Sequence, residues 1–254
     1  MQLESHYKQF EQLFNDLVGK EPKFIAQSPN EGLYKAAVMF FFIKSWKTFQ
    51  GIFTLCNIGL GEDAGILLRS LFEMTVNLMY ISKDPLERAR LFVEYDFVQR
   101  QQLHEKFSRK KADPSYARIL AAATLDTVEE LENNYKRVKK NYPNKRSWSG
   151  KSLADMAKDV SFEWQYDYIY WVLSHLVHPN PKAIDKYMRM EEGSIVIANA
   201  SSKEDIERVW VSACGFLLLF FDRFNVAFSI GCEQGVEDAK KTLGSIVTEK
   251  KSNR

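Results

Sequence analysis

The feature that most restricts the fold is an apolar helical period, broken only where residues that start or stop helices occur. Tyr7, Phe10, Leu13, Phe14, Leu17 and Val18 fall on one face of a helix over residues 3–18, which Gly19 ends. Ser28-Pro29-Asn30-Glu31 then supplies a capping serine, proline at the first helical position and glutamate at the third. The long helix it opens runs through Met39, Phe42, Trp46, Phe49 and Phe53 and stops near Asn57, ahead of Gly59. A third helix is expected over 62–82. Asp84-Pro85 starts a fourth, to about Lys111, and Asp113-Pro114 a fifth, to about Lys140. Shorter helices follow at 151–159 and 162–178, the second stopped by Pro179 and Pro181. Residues 184–200 carry the strand signal: two apolar runs around Glu191-Glu192-Gly193-Ser194 read as a β-hairpin. Ser201 and Glu204 cap a helix to about Ile230, and an amphipathic stretch at 234–247 follows. The short connections predict an all-α antiparallel multi-helix bundle with one small β-hairpin insertion. It should form one domain over residues 1–250, with a frayed tail at 251–254.

Size and composition agree with that architecture. A chain of 254 residues is near the upper end for one core, and 18 Phe with 11 Tyr can fill it. The net charge of +2 leaves any polyanion-binding role to local clusters. Cys56, Cys214 and Cys232 lie in apolar stretches without a C-x-x-C. That suits buried thiols in a reducing, cytoplasmic setting. The opening MQLESHYKQF has neither the basic nor the apolar region of a signal peptide. Val209–Phe221 is uncharged for only 13 residues and Thr48–Gly61 for 14, against roughly 18 for a membrane span. Both read as core helices, so no membrane partner is expected.

Three segments could carry chemistry. The third helix reads ILLRSLFEMTVNLMYI from Ile66 to Ile81. Arg69, Glu73 and Asn77 form a single polar stripe at i, i+4 and i+8. The stripe is either a solvated edge bearing an ion pair or a buried network lining a pocket, where a charge must be paired. Next, Ser174-His175-Leu176-Val177-His178 closes the helix before Pro179. A histidine in a last helical turn is favoured when charged, which suits general acid–base work; the plain alternative is a capping His beside a core His. No H-E-x-x-H or E-x-x-H occurs, so neither a metal nor another cofactor is called for. Last, Tyr135–Ser152 (YKRVKKNYPNKRSWSGKS) is basic and acid-free, with Tyr135, Tyr142 and Trp148 interleaved. Such a run suits phosphates and stacked bases, though a solvated helix end is the commoner fate. Gly150-Lys151-Ser152 imitates a P-loop end without its first glycine or preceding strand. It still opens a helix whose N–H groups, beside Arg146 and Lys151, could hold an anion.

Together, Arg69-Ser70-Leu71-Phe72-Glu73, Trp148-Ser149-Gly150-Lys151-Ser152 and Ser174-His175-Leu176-Val177-His178 resemble a bacterial all-helical domain family of unknown function. That family shares R-S-x-x-E, W-x-G-K-S and S-x-x-x-H motifs. The resemblance spans about residues 35–230 and implies an all-helical fold without an assigned reaction. A looser similarity is to HEPN helical bundles, many of which are metal-independent ribonucleases of toxin–antitoxin and phage-defence systems. Ser174 and His178 have the spacing of their polar residue and histidine, but Leu173 stands where their arginine would be. Arg69 or Arg146 would have to replace it.

Two functions follow as expectations. One is a binding or interaction protein with a composite polar pocket, taking a phosphate-bearing ligand or nucleic acid. The other is a metal-independent HEPN-like ribonuclease. Its catalytic residues would come from His178, Arg69, Glu73, Ser174 and His175, and Arg146, Trp148, Gly150, Lys151 and Ser152 would grip the ligand. RNA is the expected macromolecular partner, and the HEPN likeness allows a homodimer.

Overall fold

The computed structural model describes residues 3–108, 115, 118, 127–143, 146–170, 173, 181, 184–191, 193–197 and 203–252. Among them the helices are α1 (Leu3–Gly19), α2 (Pro29–Asn57), α3 (Gly61–Ser82), α4 (Pro85–Ser108), α5 (Val128–Val138), α6 (Leu153–Asp159), α7 (Lys203–Phe228) and α8 (Glu233–Ser252). The fold is all-α. The one hairpin described pairs β1 (Met188–Glu191) with β2 (Ser194–Ile197), and Gly193 at φ +81° turns the chain between them.

Local sequence sets the helix ends. Ser28 accepts the Glu31 amide, with Pro29 in the first turn, and so fixes the start of α2. Its end is a Schellman turn. Gly59 takes φ +85°, the Leu60 amide reaches the Leu55 carbonyl at 2.8 Å, and the Gly59 amide reaches Cys56 at 3.2 Å. Only Ile58–Leu60 separates α2 from α3, too short to follow a helix of about 43 Å, so α3 returns antiparallel alongside α2. At the far end of the bundle Asn225 joins α7 to α8. Its amide nitrogen donates to Glu233 Oε1 at 3.0 Å, and its oxygen accepts from the Cys232 amide at 2.8 Å.

The core lies among α2, α3 and α7. Phe42, Phe49, Leu71, Phe72, Trp210, Phe220, Phe221 and Phe224 are fully buried there, and α1 adds Phe10 and Leu17. Phe42 and Phe224 stack at 3.9 Å across α2 and α7. Polar residues inside satisfy themselves locally: Thr75 donates to the Leu71 carbonyl and Ser45 to Phe42. A small satellite core of Val98, Val138 and Tyr142 holds α5 to α4, with the Tyr142 hydroxyl donating to the Leu91 carbonyl at 2.6 Å.

Three expectations need correction. The helix expected over 113–140 does not run through: Thr127 and Glu130 form a reciprocal capping box that starts α5 afresh, and a 3-10 turn at Lys139–Asn141 ends it. The helix expected from 162 to 178 begins as one turn, Glu163–Gln165, and widens into a π-helix at Tyr166–Tyr170. The last helix continues to Ser252, past residue 247. Gly61–Ser82 and Asp205–Phe228 are long and apolar enough to cross a membrane by length and composition alone, but 56% of an apolar 18-residue stretch of each lies buried within the bundle, as in a core helix.

Candidate functional site

The polar stripe of α3 is half-buried and joins two of the three motif segments. Arg69 Nε donates to Glu73 Oε1 at 3.2 Å, one helical turn away; the Arg69 side chain is 16% exposed and that of Glu73 40%. One face of the guanidinium lies over the Tyr170 ring, 4.1 Å from its centroid. Tyr170 stacks on Tyr166 at 4.9 Å, an i, i+4 pair carried by the π-helix. Burial raises the Tyr166 phenol above its ordinary range, with smaller contributions from Tyr170, Asp167 and Glu73, and the Arg69 charge opposes the shift. Among the described residues, the terminal nitrogens of Arg69 have no acceptor. Its Nε and one face of its plane are held, while its terminal N–H groups stay available among the described residues.

Asn77 brings the second motif to the stripe. Its amide nitrogen donates to the Glu73 backbone carbonyl at 2.7 Å, and its oxygen accepts the Trp148 indole N–H at 2.7 Å. Trp148 is buried and meets Tyr80 and Phe92 edge-on at 5.8 and 5.4 Å. Tyr142 is also buried, and burial pushes its phenol well up. These two aromatics of the basic segment thus anchor the chain from inside and are not exposed stacking platforms.

The rest of the W-x-G-K-S loop is tied to the chain's own acids. Lys151 Nζ meets Asp159 Oδ2 at 2.5 Å, and this hydrogen bond holds the Asp159 carboxyl below its ordinary range. Lys83 donates to the Asp159 backbone carbonyl, and Arg88 lies 3.8 Å above the Tyr80 ring. Gly150 turns the loop at φ +71°. Ser152 caps α6: its hydroxyl accepts from the Asp155 amide at 3.1 Å, while Asp155 Oδ2 accepts from the Ser152 hydroxyl at 2.6 Å and its amide at 3.3 Å. An incoming anion would compete with two carboxylates already in place. Arg146 is exposed. Along α5, Lys136 faces Glu132 at 3.5 Å and Arg137 faces Glu94 at 3.8 Å, charges that a count of lysines and arginines does not reveal.

Ser174, His175 and His178 lie outside the described residues, so the third motif enters only through its position in sequence, beginning four residues after Tyr170. The thiols offer no chemistry: all three cysteines are free and buried, burial raises Cys56 to about 12, and Cys214 stands well above the ordinary range.

Sequence reasoning missed the π-helix tyrosines, whose i, i+4 spacing was the available signal. The same segment has a second side. Tyr168 and Ile169, with Phe162 and Trp164, face Arg208, Val211 and Phe216 of α7 across a largely apolar cleft of about 620 Å³. Arg208 donates to the Tyr168 hydroxyl at 3.3 Å. Neither Arg69 nor Glu73 lines this cleft.

No curated protein and no solved structure matches the chain. The model of one family, described as a family of unknown function (DUF5677), matches residues 35–195, which run from α2 through β2 and include Arg69, Glu73 and Trp148. The chain belongs to that family.

Proposed function

We propose that the protein is a binding module whose α3 stripe grips a phosphate-bearing ligand, RNA included, with Arg69 as the anion contact. The observation that carries this reading is the state of the Arg69 guanidinium. Glu73 and Tyr170 fix its orientation, and its terminal N–H groups have no protein acceptor among the described residues. A pre-oriented fork suits two oxygens of one phosphate and loses little freedom on binding. The buried free thiols favour a reducing, cytoplasmic compartment for this activity.

Titration of a labelled single-stranded RNA oligonucleotide, and separately of inorganic pyrophosphate, tests the assignment. Arg69→Ala is expected to weaken binding of the responding probe by about 10–100-fold, the loss of a charge-assisted hydrogen-bonding group. Arg69→Lys should recover little, because an ammonium lacks the fork. A parent that binds neither probe, or an Arg69→Ala protein that binds as tightly as the parent, overturns it.

A second reading is the metal-independent HEPN-like ribonuclease, with His178 as general acid or base, Ser174 orienting the substrate, and Arg69 supplying the charge that Leu173 does not. It is favoured by the stacking of Arg69 on Tyr170, which precedes Ser174 by four residues. RNA should then be cleaved in the presence of EDTA, and His178→Ala should slow cleavage by about 10²–10⁴-fold. Equal rates in parent and variant would remove this reading and leave the binding module.

A further inference from the structure

The apolar cleft beside the π-helix is left unused by the α3 stripe. Both of its walls consist of described residues: one lies within 162–169, the other on α7 from Arg208 to Leu219. Arg208, Ser212, Gly215 and Leu219 follow at i, i+4, i+7 and i+11, one stripe of that helix. Trp210, Leu217 and Phe221, on its other side, are fully buried in the core. Ser212 and Gly215 put little side chain into the middle of the stripe, while Phe162, Ile169, Phe216 and Leu219 make the lining apolar. Trp164 and Tyr168, which also line the cleft, stack with their planes 4° apart although the indole is 72% exposed. The volume of about 620 Å³ falls within the roughly 300–1,000 Å³ of small-molecule sites, which are apolar hollows with a few placed polar groups. Among the lining residues, Arg208 alone carries a charge.

We infer that this cleft binds an amphiphilic monocarboxylate, an apolar chain ended by one acid group, with the chain along the α7 stripe and the carboxylate at Arg208. The charge pattern selects that class. A cationic head meets a guanidinium, a neutral molecule leaves the guanidinium unused, and a polyanion finds one cation where it needs several. A carboxylate matches the planar guanidinium in charge and shape. Arg208 is engaged but not tightly held: it reaches Asp205 Oδ1 at 3.2 Å and the Tyr168 hydroxyl at 3.3 Å, longer than the roughly 2.7–2.9 Å of a strong charge-assisted hydrogen bond. Asp205 therefore competes with the ligand's acid group, and that competition can be measured. Length fits as well. Eleven residues of helix separate Arg208 from Leu219, about 16 Å at 1.5 Å per residue, which matches an extended dodecanoate. The site is independent of the anion contact at Arg69, which does not line the cleft.

Calorimetric titration of the full chain with dodecanoate, below its micellar concentration, tests this; decanoate, decan-1-ol and decyltrimethylammonium serve as comparisons. The parent should bind one dodecanoate per chain and decanoate about ten-fold more weakly, the loss expected for two buried methylenes. Decan-1-ol should bind more weakly than decanoate, and decyltrimethylammonium more weakly still. Arg208→Ala should weaken decanoate about ten-fold and leave decan-1-ol unchanged, a split that a collapsed cleft would not give. Asp205→Asn should tighten decanoate about three-fold by removing the competing carboxylate, again without effect on the alcohol. Ser212→Trp, which fills the middle of the stripe, should abolish binding of both. A parent that does not bind dodecanoate overturns the inference, as does one that binds all three head groups equally. Arg208→Ala protein that loses acid and alcohol alike, or Ser212→Trp protein that binds like the parent, overturns it too.

Discussion

Replacing Trp148 with alanine is expected to destabilise the protein by about 3–5 kcal/mol, the range for removing a large buried aromatic. The indole is 9% exposed and makes edge-on contacts with Tyr80 and Phe92 from two helices, and its N–H ends on Asn77. Removing it opens a cavity at the meeting point of α3 and α4 and strips Asn77 of its donor. It also leaves the loop ahead of α6 held chiefly by exposed pairs such as Lys151–Asp159, which are worth little. Trp148→Phe keeps the ring contacts and loses the hydrogen bond, so about 1–2 kcal/mol is expected. Urea melts of the two variants should separate these contributions. In a double-mutant cycle with Asn77→Ala, a coupling of at least about 0.5 kcal/mol should appear. A Trp148→Ala protein within about 1 kcal/mol of the parent would mean that the loop does not depend on this anchor.

The anchor also shows where reading the sequence stops. The bounds of α2 were legible because Ser28, Pro29 and Glu31 act within one turn and Gly59 ends the helix by its own backbone. The Arg69–Glu73–Asn77 stripe was legible for the same reason, since one helical turn sets it. That Trp148 would close on Asn77, 71 residues away, was not written in any local period. Nor could a charge count see that Asp155, Asp159, Glu94 and Glu132 come to meet the basic run. Two local features were misread. Leu131, Tyr135 and Val138 continue a helical period, and that continuity hid the Thr127–Glu130 box. Tyr166, Ile169 and Tyr170 fit an α spacing as well as a π one over so short a run, so the widened turn beneath Arg69 could not be told apart from an ordinary helix.

The second large effect is expected at Trp210, where two substitutions should diverge. The side chain is fully buried on α7 and packs against Phe49 at 4.9 Å and Phe53 at 5.7 Å, both from α2. Trp210→Ala removes the widest ring in that contact and is expected to cost about 3–5 kcal/mol. At about 2–4 °C per kcal/mol for a chain of this size, the melting point should fall by roughly 6–20 °C. Trp210→Phe should behave otherwise, because the buried indole Nε1 has no hydrogen-bond acceptor among the described residues. An unmet buried N–H already costs about 1–3 kcal/mol, and phenylalanine removes it while keeping a ring between α2 and α7. The cavity left by the missing part of the indole and the relief of the unmet donor then oppose each other, so the net change should lie within about 1 kcal/mol. Thermal and guanidinium melts of the two variants would check this. If phenylalanine proved as damaging as alanine, the N–H must be bonded in solution, and a buried water between α2 and α7 would be the group to look for.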